Sequence, residues 1–166
     1  MSTDRLLANL KQSELFRELG DAGLDSLEKA GDAIELEAGE IIIEEGQQVT
    51  YLFVVIRGEL EVFLPKSESR SSRIRVARKV PGDCIGEYSF VDKYPASASV
   101  AAKVPSDVFW IAQAEVEQKL DADPALGRIV YRNLLHLLVA RLREENQVLD
   151  LFRPVVPGKR PSRSER

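Results

Sequence analysis

Hydrophobic spacing divides the chain into three parts. Across residues 4–30 the apolar residues recur at the spacing of one helical face and glycines interrupt the pattern, which predicts two short helices. The middle of the chain has short β-prone runs separated by turns, which predicts a β-sandwich or barrel. Residues 114–152 return to helical spacing. The predicted strands are Ile34–Leu36, Ile41–Ile43, Tyr51–Ile56, Leu60–Leu64, Arg73–Val80, Ala98–Val104 and Val108–Ile111.

The last predicted helix is unusually long for a small domain. It starts near Pro124, which suits a first helical turn. About 28 residues at a rise of about 1.5 Å span roughly 42 Å, so its far end should pack on a second protomer or fold back over the β-domain. Its tail, residues 153–166, is rich in proline and basic residues and is predicted to be disordered. The apolar seam of the helix is Leu126, Val130, Leu134, Leu138, Leu142, Leu149 and Phe152.

The composition is that of a soluble globular protein. The chain has 166 residues, 44% hydrophobic and 30% charged, enough for one domain with accessory helices. Its single cysteine, Cys84, forms no internal disulfide, which suits a reducing compartment. No apolar run approaches the roughly 20 residues of a membrane-spanning helix, and the N-terminus is too polar for a secretory signal. We therefore expect a cytoplasmic protein with no membrane partner.

Charge is distributed unevenly. The net charge is −4, and residues 153–166 carry five basic residues against Glu165, so the remainder carries −8. Such an acidic domain lacks the positive surface that phosphate contacts require, which argues against a nucleic-acid partner. The basic tail carries no base-reading motif and leaves no room for a two-helix DNA-binding unit. The basic residues at 66–79 are interpreted as a solvated hairpin, with an anionic partner as the alternative.

The side chains needed for catalysis or metal binding are scarce. The single histidine, His136, lies on the long helix, where a structural or surface role is the simpler interpretation. A metal centre of the small β-barrel type usually needs several histidines. No histidine lies near Cys84 to activate it as a nucleophile. The sequence therefore predicts neither an enzyme nor a metal or other cofactor.

Four motifs in order carry a family resemblance. Ile43–Leu64 contains Glu-Gly, an aromatic strand and Gly-Glu-Leu-Glu-Val, Val80–Phe90 reads VPGDCIGEYSF, Pro95–Val100 reads PASASV, and a helical segment begins at Asp121. Together they resemble the cyclic-nucleotide-binding domain family, the β-roll of the catabolite activator protein and of protein kinase A regulatory subunits. The resemblance covers roughly residues 10–152, and no DNA-binding domain is expected after the long helix.

The resemblance implies an α+β fold, an antiparallel β-roll (double-stranded β-helix or jelly roll) with N-terminal helices and a long C-terminal helix. The expected organisation is a helical segment at 1–32, the roll at 33–112, C-terminal helices at 113–152, and a disordered basic tail at 153–166.

The segment Ile85–Val100 resembles the phosphate-binding cassette of that family. The resemblance implies that Glu87 accepts a hydrogen bond from the ribose 2′-hydroxyl and that Gly86 lets the backbone approach the sugar. A short helix beginning near Glu87 would also present free N–H groups to a phosphate. The resemblance further implies that Ser97 and Ser99 offer hydroxyl or backbone donors to the phosphate. The alternatives are capping of the short helix by Glu87 and ordinary strand positions for the two serines. The candidate ligand-binding residues are Gly86, Glu87, Tyr88, Ser89, Ala96, Ser97, Ala98 and Ser99.

Ala96 departs from the pattern, because the family places an arginine there. Hydrogen bonds to a charged group contribute roughly 1.5–3 kcal/mol each, so losing about 3 kcal/mol weakens binding about 100-fold. Lys93 is the nearest cation in sequence, with a solvated loop position as its simpler interpretation. Tyr88 and Phe90 are larger than the residues usual in the family, and their rings could fill the pocket or stack on a base.

Two functions remain open. The first is a sensor that binds cAMP or cGMP weakly, or another anionic ligand, and couples it to movement of the long helix. The resemblance implies that Glu145 and Asn146 on that helix could reach a base, with exposed helix polarity as the simpler interpretation. The second is a degenerate roll that binds no nucleotide and serves as a protein-interaction or homodimerisation module through the leucine seam.

Overall fold

The computed structural model describes residues 3–151. The predicted tail and Phe152 lie outside them. The elements are α1 (Thr3–Gln12), α2 (Asp21–Glu28), β1 (Gly31–Leu36), β2 (Ile41–Ile43), β3 (Tyr51–Arg57), β4 (Leu60–Leu64), β5 (Ile74–Lys79), β6 (Cys84–Ile85), α3 (Glu87–Asp92), β7 (Ser99–Ala102), β8 (Ser106–Ala112), α4 (Gln113–Ala122) and α5 (Pro124–Leu151).

The strands in this range form two antiparallel sheets of four strands each. The first has the order β1-β8-β3-β6 and the second has the order β2-β7-β4-β5. Strands distant in sequence are thus neighbours, and β6 and β7, which flank α3, belong to different sheets. The predicted α+β fold, an antiparallel roll with N-terminal helices and a long C-terminal helix, is confirmed.

The first sheet separates two hydrophobic cores. Along β3, Leu52, Val54 and Ile56 belong to the core shared with the helices, while Phe53 and Val55 belong to the core inside the roll. Alternation is expected because successive side chains of a strand point to opposite faces. A strand buried on both faces explains why the sequence shows a continuous apolar run here rather than alternating polar and apolar residues.

The first half of α5 packs against the helix-side core. Asp123 Oδ1 accepts hydrogen bonds from the N–H groups of Ala125 and Leu126 at 3.0 and 3.1 Å, which caps the helix where Pro124 begins it. The Asn133 amide donates to the carbonyl oxygens of Leu15 and Arg17, which ties α5 to the turn after α1. The apolar residues of α5 that are buried are Leu126, Val130, Leu134 and Leu137.

The predicted leucine seam does not stay on one side of α5. Leu138 is only partly buried, and Leu142 is 57% exposed. At 3.6 residues per turn, each four-residue step rotates the side chain by about 40°, so a series of such steps leaves the buried face. The side chain of Leu149 lies outside the described residues.

The basic segment between β4 and β5 folds onto the outside of the second sheet. Arg70 Nη2 lies 2.6 Å from Glu45 Oε2. Arg73 pairs with Glu61, and its guanidinium carbon lies 3.4 Å from the centre of the Phe63 ring. The interpretation of a plain solvated hairpin is therefore incomplete, because acidic neighbours offset part of its positive charge.

Adjacent leucines on α5 test this packing. Leu134 is 3% exposed and Leu135 is 62% exposed. We expect Leu134→Ala to lower the free energy of unfolding by about 2–5 kcal/mol, because it leaves a cavity. Leu135→Ala should change it by about 0.5 kcal/mol or less. Urea denaturation of both variants in dilute solution measures the difference, and equal losses would contradict the assigned face of α5.

Candidate functional site

The candidate cassette begins with a turn that only glycine accommodates. Gly86 lies between β6 and α3 with φ of +87°, and a Cβ atom there would lie 2.5 Å from the backbone oxygen of Tyr51. Both the left-handed conformation and the close approach exclude a side chain. Gly86 therefore shapes the turn that places Glu87 at the start of α3, independently of any contact with a sugar.

Glu87 is buried and paired with a residue of α5. Its side chain is 4% exposed, and Oε1 forms an ion pair with Arg141 Nη1. Arg141 Nη2 donates a second hydrogen bond to the carbonyl oxygen of Cys84 at 2.9 Å. The carboxylate that the resemblance assigns to a ribose thus contacts another element, and capping of α3 is not its main described interaction. The guanidinium joins β6, α3 and α5.

A second cation lies near this ion pair. Lys79 stands directly opposite Leu60, a residue of the roll interior, so its side chain projects from the same face of the sheet. Burial lowers the pKa of Lys79, and the charge of Arg141 lowers it further, while Asp83 and Glu144 act in the opposite direction. Burial also lowers the pKa of Arg141. Two partly desolvated positive charges therefore lie near each other, and one of them, Arg141, contacts the buried carboxylate of Glu87.

Ala96 lies at the other end of the cassette and packs against the core inside the roll. Its N–H donates to the carbonyl oxygen of Gln47 and its carbonyl accepts from the N–H of Gly46, both at 2.8 Å. These two bonds hold the backbone in place. An arginine at this position would extend toward the roll interior, where this chain has only a methyl group.

The other cassette residues occupy varied positions. Ser99 is buried, and its Oγ accepts a hydrogen bond from the N–H of Glu45 at 2.9 Å, so that hydroxyl already holds the β2–β3 turn. Ser89 is buried within α3. Ser97 is exposed and Ala98 is half-buried. The structure thus supports a structural role for Ser99.

Neither large ring of the cassette lies in the roll core. Phe90 is buried in the core shared with the helices, where it stacks on Tyr131 at a centroid distance of 6.5 Å. Tyr88 is 41% exposed, and its ring centre lies 5.7 Å from the Arg141 guanidinium carbon. The expectation that Phe90 could fill the pocket is therefore wrong, because the turn at Gly86 directs that ring toward α5.

Lys93 does not replace the missing arginine. Its ammonium forms an ion pair with Glu117 of α4 and lies 5.0 Å from the centre of the Phe90 ring. The lysine thus points toward the helices rather than toward Ala96. Its interpretation as a solvated loop residue is also incomplete, because it ends α3 with a defined contact.

Arg141, the cation that contacts Glu87, was not identified as a site residue from the sequence. The sequence signal for Arg141 was its helical spacing, since Leu134, Leu137 and Arg141 follow one another at three and four residues on the buried side. A charged residue on that side requires a partner. Of the residues expected to reach a base, Asn146 is exposed, and the side chain of Glu145 lies outside the described residues.

Other site chemistries find little support in residues 3–151. That part of the chain contains no group of three or more His, Cys, Asp or Glu side chains placed to hold a metal ion. His136 Nδ1 lies 3.1 Å from Arg17 Nη2 on an exposed surface. None of the helices described there combines the length and the apolar character needed to cross a lipid bilayer.

The fold is a two-sheet antiparallel roll with α3 between strands of different sheets and with α5 in contact with α3. The family model described as the cyclic nucleotide-binding domain matches residues 33–123, and the chain belongs to that family.

Relatives and solved structures agree with this assignment. The chain is 27% identical over 146 residues to the Pycsar effector protein XpPycTIR of Xanthomonas perforans, covering 87% of this chain and 44% of that protein. It is 27% identical over 131 residues to the cAMP-dependent protein kinase regulatory subunit of Blastocladiella emersonii, covering 79% and 28%. The crystal structure of a cyclic nucleotide-binding domain from Methylobacillus flagellatus superposes with a TM-score of 0.78 at 26% identity, covering 92% and 85%. The chain thus spans less than half the length of both relatives.

The buried thiol beside Arg141 gives a prediction about pH. Burial raises the pKa of Cys84 from its usual value near 9 to about 11. Between these values the unfolded chain releases a proton that the folded chain keeps, so stability falls as pH rises. The slope is about 1.4 kcal/mol per pH unit. Urea denaturation between pH 8 and 10.5 should show this loss in the native chain and not in Cys84→Ala. Parallel pH profiles would contradict the buried, protonated thiol.

Proposed function

We propose that this chain is a non-enzymatic, cytoplasmic regulatory domain that binds a cyclic mononucleotide, cAMP or cGMP, weakly and couples it to movement of α5. One observation carries the proposal: the cassette glutamate, Glu87, is buried within the cassette and is held by an arginine of α5. A ligand hydroxyl that bonds to Glu87 would act directly on the contact between the roll and the long helix.

A second contact supports the coupling. Phe90 of α3 stacks on Tyr131 of α5, so two side chains of the cassette helix are joined to the long helix. Any shift of α3 on ligand binding must therefore move or strain α5. The ligand acts by shifting the population of helix positions, and it does so only if it binds one position more tightly.

Weak affinity is the expectation for the phosphate end. Ala96 offers no charge or side-chain donor, and Lys93, its nearest cation in sequence, is engaged with Glu117. A loss of about 3 kcal/mol converts a micromolar dissociation constant to roughly 100 μM. The name of the kinase regulatory subunit among the relatives points to the same ligand class.

Replacing Ala96 with arginine tests the site. We expect calorimetry to show cAMP or cGMP binding at roughly 100 μM for the native chain. Ala96→Arg should bind about 10- to 100-fold more tightly, because it supplies a bidentate cation to the phosphate. Ala38→Arg, the same change at an exposed turn, is the matched control and should bind like the native chain.

The outcomes separate the possibilities. If calorimetry detects no binding of cAMP or cGMP to the native chain up to millimolar concentration, neither nucleotide is its ligand. If Ala96→Arg also shows no binding of cAMP or cGMP, the roll interior does not admit a nucleotide, and the alternative function described below is favoured.

The alternative function is a homodimerisation module that binds no nucleotide. An apolar stripe on α5 favours it, formed by Tyr131, Leu135, Val139 and Leu142, which are 43–62% exposed. Their spacing of four, four and three residues places them on one face of the helix. Because a stripe on a single helix can pair with its own copy about a two-fold axis, a second copy of the chain is the occupant we propose.

A charge in this stripe tests the dimer. We expect Leu135→Lys to shift a dimer toward monomer, because pairing would bury two like charges near the axis. Ala140→Lys places the same charge on an exposed position off the stripe and should leave the mass unchanged. Light scattering across a concentration series reports the mass, and a native chain that stays monomeric at high concentration contradicts this function.

A further inference from the structure

The positive charge of the candidate site comes from α5 and β5, and not from the segment that carries Ala96. Arg141 comes from α5 and contacts Glu87 and Cys84, while Lys79 comes from the end of β5. Across the described residues, no carboxylate lies within ion-pair distance of Lys79. Lys79 is half-buried. A partly desolvated cation without a close anion carries a cost that a bound anion would relieve.

We propose that Arg141 is the phosphate-binding cation of this site. It replaces the arginine that the family carries where this chain has Ala96, and Lys79 adds a supporting charge. This inference rests on the proposed function, and it concerns which residue determines ligand affinity and how the ligand reaches α5.

The guanidinium of Arg141 keeps unused donors. A guanidinium carries five N–H donors, and the described contacts use one on Nη1 and one on Nη2. The N–H of Nε and one further hydrogen on each terminal nitrogen remain. With 18% of its side chain exposed, Arg141 can meet a ligand without releasing Glu87.

The chemistry of the ligand fits this position. In a 3′,5′-cyclic nucleotide the 2′-hydroxyl and the bridging phosphate are attached to neighbouring ribose carbons. A cation bound to the carboxylate that accepts the 2′-hydroxyl therefore lies beside the phosphate as well. Arginine suits the task because its planar fork matches phosphate oxygens and it stays protonated even when burial lowers its pKa.

This placement changes how a ligand would act. A cation on the cassette strand would bind phosphate within the roll. A cation on α5 instead makes the long helix part of the ligand site, so bound phosphate holds α5 directly. A site without an arginine at the position of Ala96 would then bind the phosphate more weakly but would link it more directly to α5.

Calorimetry on arginine variants with a charged and an uncharged probe tests the inference. We expect Arg141→Gln to weaken cAMP or cGMP binding about 10- to 100-fold. Adenosine keeps the base and the ribose but has no phosphate. Its affinity, measured by competition with cAMP, should be the same for Arg141→Gln and the native chain. Arg143→Gln, an exposed arginine two residues further on, is the matched control and should bind like the native chain. Adding Ala96→Arg to Arg141→Gln should restore cAMP affinity.

Two further variants guard against a folding defect. Arg141→Lys keeps the charge beside Glu87 and should bind cAMP with intermediate affinity. Lys79→Gln leaves the Glu87 ion pair intact and should weaken cAMP binding about three-fold, with adenosine again unchanged. The far-ultraviolet circular dichroism of each variant should match that of the native chain.

The results distinguish failure of this inference from failure of the proposed function. If the native chain binds neither cAMP nor cGMP, both are overturned. If the native chain binds and Arg141→Gln binds equally well, only the role of Arg141 is overturned. Tighter binding by Arg141→Gln would show that Arg141 blocks Glu87 and does not anchor phosphate. An equal loss of adenosine and cAMP would assign Arg141 to the sugar contact.

Discussion

The buried ion pair between Glu87 and Arg141 connects the parts of this protein that matter for its proposed function. Removing two charges from water costs several kcal/mol, and the attraction offsets this only with good geometry and further hydrogen bonds. The guanidinium meets that condition by also donating to the Cys84 carbonyl. Three elements therefore depend on one side chain: the edge of the first sheet, the cassette helix and the long helix. Losing either partner would leave the other buried and unpaired.

The two cores explain why this contact is possible. The first sheet is apolar on both faces, so it supports the roll interior on one side and the helices on the other. Gly86 lies at the edge of that sheet and turns the chain toward the helices, which places Phe90 against Tyr131 and Glu87 against Arg141. The cassette helix is thus held by the helix layer, while Ile85, Ala96 and Val100, toward the two ends of the cassette, pack in or against the roll core.

Much of the fold could be predicted from the chain itself. The apolar residues of Tyr51–Ile56 form a continuous run, and those of Leu60–Leu64 alternate with a charged residue, and both patterns predict strands. The structure has a strand at each of these places. The two-residue strand β6 was missed, because so short a segment carries no period. The predicted apolar seam included Leu142, which is exposed. Hydrophobic spacing continues along α5 beyond the part that packs on the core, so spacing alone does not show where burial ends. The cassette helix starts at Glu87, as its motif predicted.

The sequence alone determined that the chain forms this roll and that its cassette keeps a glutamate but lacks an arginine, because both are properties of local patterns and motifs. It did not determine what Glu87 touches. That contact joins residues far apart in sequence, and it depends on how α5 rotates over the first sheet and on which face its buried residues present. Only the tertiary structure placed Arg141 beside Glu87 and Lys79 on the same side of the roll, since burial and register bring these charges together.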